Sequence, residues 1–251
     1  DGLAFVGHMD APNGTTIIDI KNPSKPKVLK QIFLEDELSH THKVRVAGKI
    51  MITNVEQAQR HLLRKGEQLP NVIRTLTASL NRQPDDSEIA DALGLPPSKL
   101  ADVRQFLKKG YQDGGFRVWD ISDPKNPELL SYVRTYGFGV HRFDMDENYA
   151  YISTEMNGYI GNILVIYDLA DPKRPIEISR WHMPGQHLDA GEKPSWKGYK
   201  NRLHHALRVG NELWAAVWNA GFQVIDISDI CNPTTIAGHN YHPPFPEPTH
   251  T

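Results

Sequence analysis

The chain has 251 residues, with 28 basic against 30 acidic side chains, a length that suits one large all-β domain or two smaller ones. So balanced a charge argues against nucleic acid or an anionic membrane surface as a partner, and no apolar run reaches the length of a membrane span. The one cysteine, Cys231, excludes an intrachain disulfide and leaves the compartment open, with the cytoplasm as the default.

The chain opens on a strand, "GLAFVGHM", and runs into "TIIDIKNPSKP" (16–26). That phrase returns as "RVWDISDPKNP" (117–127), "LVIYDLADPKRP" (164–175) and "QVIDISDICNP" (223–233). Self-similarity of this kind organises a whole fold. In each copy an apolar, β-branched strand meets an Asp (Asp19, Asp120, Asp168, Asp226) and then a polar turn closed by Pro. The turn Asp or Asn bonds its own backbone and Pro presets φ. The strands that follow are "KVLKQIFL", "ELLSYVRTY", "IEISRWHM" and "TTIAGHNY".

A second phrase precedes three of the copies: "HKVRVAGKIMITN" from His42, "HRFDMDENYAYIST" from His141 and "HALRVGNELWAAVW" from His205. Each has a His, apolar residues two and four places on, a short polar turn, and a second apolar strand beginning at Ile50, Tyr149 or Leu213. A unit is thus four antiparallel strands, A to D, and such units in series make a β-propeller. The prediction is an all-β fold with strands B to D of a first blade at 2–34 and full blades at 40–136, 141–183 and 204–241. The Asp spacings of 48 and 58 residues fit one blade each, whereas the first, 101, is too long for one. Strand-like sequence at both ends, "GLAFVGHM" and "PTHT", predicts that 1–251 is part of a larger propeller.

The surplus falls at 55–113, between strands B and C of blade two, and is predicted to be a helical insertion. "DDSEIADALGL" and "PPSKLADVRQFLKKG" read as two helices, with Asp86 or Ser87 and then Ser98 as N-caps and Gly94 and Gly110 as C-terminal stops. The stretch "IRTLTASLNRQPDDSEIADALGLPPSKLADV" resembles a helical region of bacterial sigma factors and related helix-turn-helix modules, which implies DNA. The charge count opposes that implication. Nine Lys or Arg face eight Asp or Glu across 55–113, too little surplus for a basic reading face, so no nucleic acid is expected. A lid over the propeller, or a docking arm for a protein partner, is the expectation instead.

The strand C phrase, best seen in "ILVIYDLADPKRP", resembles the LVIVD repeat of bacterial and archaeal propeller proteins. That resemblance covers nearly all of the chain outside 55–113 and implies a fold without a single activity. A more distant similarity is to the selenium-binding protein and methanethiol oxidase propellers, which are His-rich and metal-associated.

In a propeller the A–B and C–D turns lie on one face and the B–C and D–A loops on the other. Here the second class is the long and variable one, including 55–113, "STEMNGYIGN" and the 182–202 connection. Long ordered loops on a rigid scaffold tend to carry function. The start of strand A lies on that face beside the axis. His42, His141 and His205 occupy that start in three successive blades, and His250 in "PTHT" is a fourth candidate. Imidazoles converging on an axis can share a divalent transition metal (Fe, Cu, Mn, Ni or Zn) in preference to Ca or Mg. His204 has the opposite strand parity; it either supports a ligand or replaces His205 as one.

Glu56, Glu155 and Asn219 end strand B on the same face, where the two carboxylates could orient a ligand His or move protons. His187, Asp189, Glu192 and Trp196 of the 182–202 connection could wall a substrate site. No phosphate loop, Cys-based zinc motif or nucleophile elbow is present. The function expected is a metal-dependent oxidoreductase or lyase acting on a small organic molecule; the alternative is a non-enzymatic interaction propeller that docks through 55–113.

Overall fold

The computed structural model describes residues 2–196 and 200–250. The first sheet is β1 (Leu3–Gly7), β2 (Asn13–Asp19) and β3 (Lys27–Phe33), the equivalents of strands B to D. The second blade is β4 (Ser39–His40), β5 (Val44–Ala47), β6 (Ile50–Gln57), β7 (Gly115–Asp120) and β8 (Glu128–Arg134). The third is β9 (Tyr136–Met145), β10 (Tyr149–Glu155), β11 (Asn162–Asp168) and β12 (Ile176–Trp181). The fourth is β13 (His205–Val209), β14 (Glu212–Ala216), β15 (Phe222–Asp226) and β16 (Thr234–His239). All pairing is antiparallel and, apart from β4 on β6 and a link between β6 and β9, runs between successive strands, as in propeller blades.

The repeated Asp is the last residue of β2, β7, β11 and β15. Its carboxylate accepts from the backbone N–H two residues on, from Lys21, Ser122, Ala170 and Ser228 at 2.7–2.9 Å. A second Asx turn follows at Asn22, Asp123, Asp171 and Asp229. Two local turns in series thus reverse the chain in every blade, which is why the phrase recurs in the sequence.

Apolar faces of successive sheets pack on one another. Ile32, Met51 and Trp119 join the first blade to the second. Ile52, Phe116, Val118, Phe143, Ile152 and Val165 join the second to the third. Tyr151, Leu164, Trp181, Leu213 and Ile225 join the third to the fourth. The second and third sheets are also tied through one backbone pairing, Glu56 with Gly139. Gly139 has φ +89°, and a Cβ there would lie 2.3 Å from the Val55 carbonyl oxygen, so only glycine permits the approach.

Between β6 and β7 stand three helices, α1 (Arg60–Leu80), α2 (Asp86–Leu93) and α3 (Leu100–Lys109), the last entered through a 3₁₀ turn at Pro97–Lys99. Strand β6 runs three residues into the 55–113 segment, and β7 begins just after it. The cap of α2 is Asp85 rather than Asp86 or Ser87: its carboxylate accepts from Glu88 N–H, and the Glu88 carboxylate accepts from Asp85 N–H in return. Gly94 ends the helix in the left-handed region, as expected. Ser98 falls in the 3₁₀ turn and caps nothing. The first and longest helix, α1, has no place in the sequence reading. Its N-cap, Gln59, makes no side-chain cap and Pro70 lies inside it, so both usual signals are missing. What marks it is the helical spacing of Leu62, Leu69, Val72, Ile73 and Leu76, which pack with α2 and α3 around Leu100 and Val103. Phe138 and Leu38 of the propeller join that core and seat the insertion. No helix among the described residues is long and apolar enough to cross a membrane.

Candidate metal centre

The inner strands β5, β9 and β13 are neighbours, and their entrances gather five imidazoles into a row. Ring centroids are 4.6 Å apart for His40 and His42, 5.4 Å for His42 and His141, 5.1 Å for His141 and His204, and 4.0 Å for His204 and His250. His141 is unpaired on β9, the extra residue between the pairs Arg142–Ser153 and Val140–Thr154. His42 lies in a similar irregularity between Val44–Thr53 and His40–Glu56. An inserted residue re-aims its side chain, here towards the axis.

Glu56, the penultimate residue of β6, is 2% exposed and sits among three of these rings. Its Oε2 lies 3.1 Å from His40 Nε2 and 3.7 Å from His42 Nδ1. His141 Nδ1 is 3.1 Å from Oε1 and 3.2 Å from Oε2. One donor atom each of His40, His42 and Glu56 lies within 4.8 Å of the others, close enough to share one ion. Asn54 fixes the role of His42. Its carbonyl oxygen accepts from Lys43 N–H and its amide donates to the Val140 oxygen, which leaves it donating to His42 Nδ1 at 3.1 Å. That nitrogen's lone pair is taken up by the amide, so the neutral ring carries its proton on Nε2.

The first two turns of α1 cover the row. Arg60 donates to Glu56, and its guanidinium also lies 2.7 Å from His141 Nδ1; Arg64 donates to Glu155. Glu155 also accepts from Phe138 N–H at 3.2 Å. Glu56, Glu155, Arg60, Arg64 and Arg202 line one narrow cleft. Beyond Phe138 and Glu155 it adjoins a cavity of about 430 Å³ between the insertion and the third blade, bounded also by Tyr111, Tyr136 and Tyr159.

Burial sets the charge states. It pushes His42 down to about 3 against the attraction of Glu56, with His40 and His141 adding to the fall. It lowers His141 as well, opposed by the hydrogen bond to Glu56. It takes His204 down to about 2, helped by His141 and His250. Burial works the other way on Glu56, but hydrogen bonds from His141 and His40 and the charge of Arg60 outweigh it and hold the carboxyl far below the usual carboxylate range. Neutral imidazoles beside an ionised carboxylate are the ligand forms a transition metal needs.

Two further details fit a cation. His204 Nδ1 is buried without a hydrogen-bond partner among the described residues. His40 has an acceptor at each ring nitrogen, the Met9 carbonyl at 3.0 Å and Glu56 at 3.1 Å, and a neutral ring has one N–H for the two.

The structure brings His42, His141, His204 and His250 together and removes His205. The ring of His205 turns into the interface between the third and fourth blades, where Nε2 donates to the Phe143 carbonyl at 3.0 Å and burial lowers it to about 4. His204 takes its place in the row. The reason lies in the hairpin turns: His42, His141 and His204 each stand five residues before the residue that opens the A–B turn, Ala47, Asp146 and Val209. Alignment on apolar residues, which selects His205, is off by one, and one residue reverses strand parity. The same shift puts Trp218, rather than Asn219, in the position of Glu56 and Glu155. His40 was missed. It pairs directly with Glu56 across β4 and β6, but "SHTH" holds no repeated feature that distinguishes it.

The 182–202 connection, of which 197–199 lie outside the described residues, forms a separate cluster. His187 stacks on Tyr159 at 4.2 Å, and Glu192 accepts from Gly185 and His187 N–H. His187, Asp189, Glu192 and Trp196 do not line the cleft beside the row; of the described residues of this connection, Arg202 does.

The LVIVD-repeat model matches residues 3–33, 110–135, 144–182 and 209–239, just over half of the chain. The chain belongs to the LVIVD-repeat family. In this LVIVD-repeat protein the matched segments hold strands B to D of the first, third and fourth blades and strands C and D of the second, whose strand B lies on the other side of the insertion. All five histidines of the row and Glu56 lie outside them, so membership accounts for the scaffold and not for the site. A search of curated proteins gives no significant match. Among solved structures the chain resembles the computationally designed Ika8 protein at 10% identity and a TM-score of 0.50, over 96% of this chain and 48% of that one. It thus spans about half the length of that protein. The designed Ika4 protein aligns at 8% identity and a TM-score of 0.44, over 89% of this chain and 84% of that one.

Proposed function

We propose that this LVIVD-repeat propeller binds one divalent transition metal at His40, His42, His141 and Glu56, with His204 and His250 extending the site, and acts as a metal-dependent enzyme on a small organic molecule. The observation that carries the reading is the convergence of three imidazoles on one buried carboxylate. A mixed nitrogen and oxygen donor set favours Fe, Cu, Mn or Zn. Such an ion, when bound, supplies Lewis acidity or redox chemistry, which makes oxidoreductase or lyase activity the class to assay. The same reading makes Glu56 a ligand, and leaves Glu155, between the inner cleft and the larger cavity, as the group to hold or move a proton. The insertion supports this reading over the docking-arm one, because its first turns are engaged with the site's two carboxylates.

The test is elemental analysis of protein purified without a His tag, before and after dialysis against each metal. The expected result is close to one equivalent of a single transition metal, lost in His42→Ala and in Glu56→Gln with the β circular-dichroism signal unchanged. Binding that is absent, or equal in the parent and both variants, would overturn the proposal.

A further inference from the structure

The two ends of the blade stack are open, and each presents a face of a kind that is covered elsewhere in the molecule. Strand B of every blade starts on the residue paired with the repeated Asp: Leu3, Ile50, Tyr149 and Glu212. Its third residue faces the following blade. Ile52 and Tyr151 hold that position in the second and third blades and are fully buried, whereas Trp214, in the fourth, is 46% exposed. Its fourth residue faces the preceding blade. Ile152 and Ala215 hold that position in the third and fourth blades and are buried, whereas Val6, in the first, is 42% exposed. The four blades therefore do not close on themselves, since a ring would cover Val6 and Trp214 as the interior junctions cover their counterparts.

An open blade face is shaped for another blade, and this chain carries both halves of the missing junction. The fourth blade offers the half that faces forward. Phe222 stacks beside Trp214 at 6.0 Å, and it stands four residues before the repeated Asp, where Phe116 and Leu164 are fully buried. The first blade offers the half that faces back. Ala4 pairs with Ile18, which stands one residue before the repeated Asp, where Trp119, Tyr167 and Ile225 are buried. Large rings on one side thus await small apolar residues on the other, as Tyr151 meets Ala215 between the third and fourth blades. Two copies related by a two-fold axis would make this junction twice and close, with eight blades in all. The like-folded Ika8 chain is about twice as long as this one, the length that two copies would supply.

We propose that a second copy of this chain covers both open faces: the fourth blade of each copy packs on the first blade of the other, and the pair closes one ring. Trp214 is the anchor on one side of each junction, and Val6 lies in the surface that receives it. The dimer does not depend on the metal centre, whose residues all come from one copy.

The experiment is size-exclusion chromatography with light scattering on the full, untagged chain over a wide range of protein concentration. The expected result is twice the chain mass. Val6→Glu and Trp214→Glu each place a charge in one of the two faces and should each raise the dimer dissociation constant about thirtyfold or more, with the β circular-dichroism signal unchanged. If a charged variant unfolds, Val6→Ser or Trp214→Ser, which only removes apolar area, takes its place. An equimolar mixture of the two variants should dimerise more tightly than either alone, because the mixed ring has one junction free of both changes. A parent that stays a monomer overturns the proposal, as does a dimer indifferent to either change. A dimer lost through one face only, or a mass that climbs past two copies, overturns the closed ring and the proposal with it.

Discussion

Glu56 and the imidazoles around it make the centre sensitive to acid. His42, His204 and His205 have an ordinary value of 6.5 and are lowered by burial to about 3, 2 and 4. Between those values and 6.5 the unfolded chain takes up protons that the folded one refuses. Stability is then flat above pH 6.5 and falls as pH drops below it, by up to about 1.4 kcal/mol per pH unit for each such group. Urea unfolding at pH 7.5, 6 and 5 checks this; an unchanged midpoint down to pH 5 would count against the buried, neutral row. Metal affinity of the folded protein should instead hold through that range and fall only as the pH nears the lowered values, where the proton and the ion compete for the same nitrogen.

Helix α1 is the element that ties the insertion to the site. Arg60 reaches Glu56 from its first turn, so it and a metal ion compete as counter-charges for one carboxylate. Replacing Arg60 by Ala leaves a buried carboxylate without its cation and should destabilise the metal-free protein by about 1–3 kcal/mol. An added ion would supply the missing charge. Thermal melting with and without Zn²⁺ should therefore show a larger metal-induced rise in Arg60→Ala than in the parent. A smaller rise would mean that the guanidinium helps to hold the metal instead of competing with it.

At the scale of the molecule, stability resides in the interfaces between sheets. Phe143 is 2% exposed between the second and third blades, and its carbonyl receives His205 from the fourth. Phe143→Ala should lower stability by about 3–5 kcal/mol, read as a fall in the urea midpoint. It should loosen the row as well, since His141 lies two residues away on the same strand. A loss below about 1 kcal/mol would indicate that the interface collapses around the deletion.

The repeat was legible in the sequence because its chemistry is local. An Asp at the strand end bonding the backbone two residues on, then a second Asx turn and Pro, needs no distant partner, and it leaves the same signature four times. Candidate ligands His42, His141 and His250 were legible for a related reason, since blades repeat their entrances. Tertiary structure decided the rest. Whether His204 or His205 faces the axis depends on one residue of register, which the A–B turns fix and the apolar pattern obscures. His40 matters only because β4 lies against β6. Helix α1 lacks the end signals by which helices are read. Turns and strands are properties of a few consecutive residues, whereas a shared ion belongs to residues that only the packed blades bring within a few ångströms of one another.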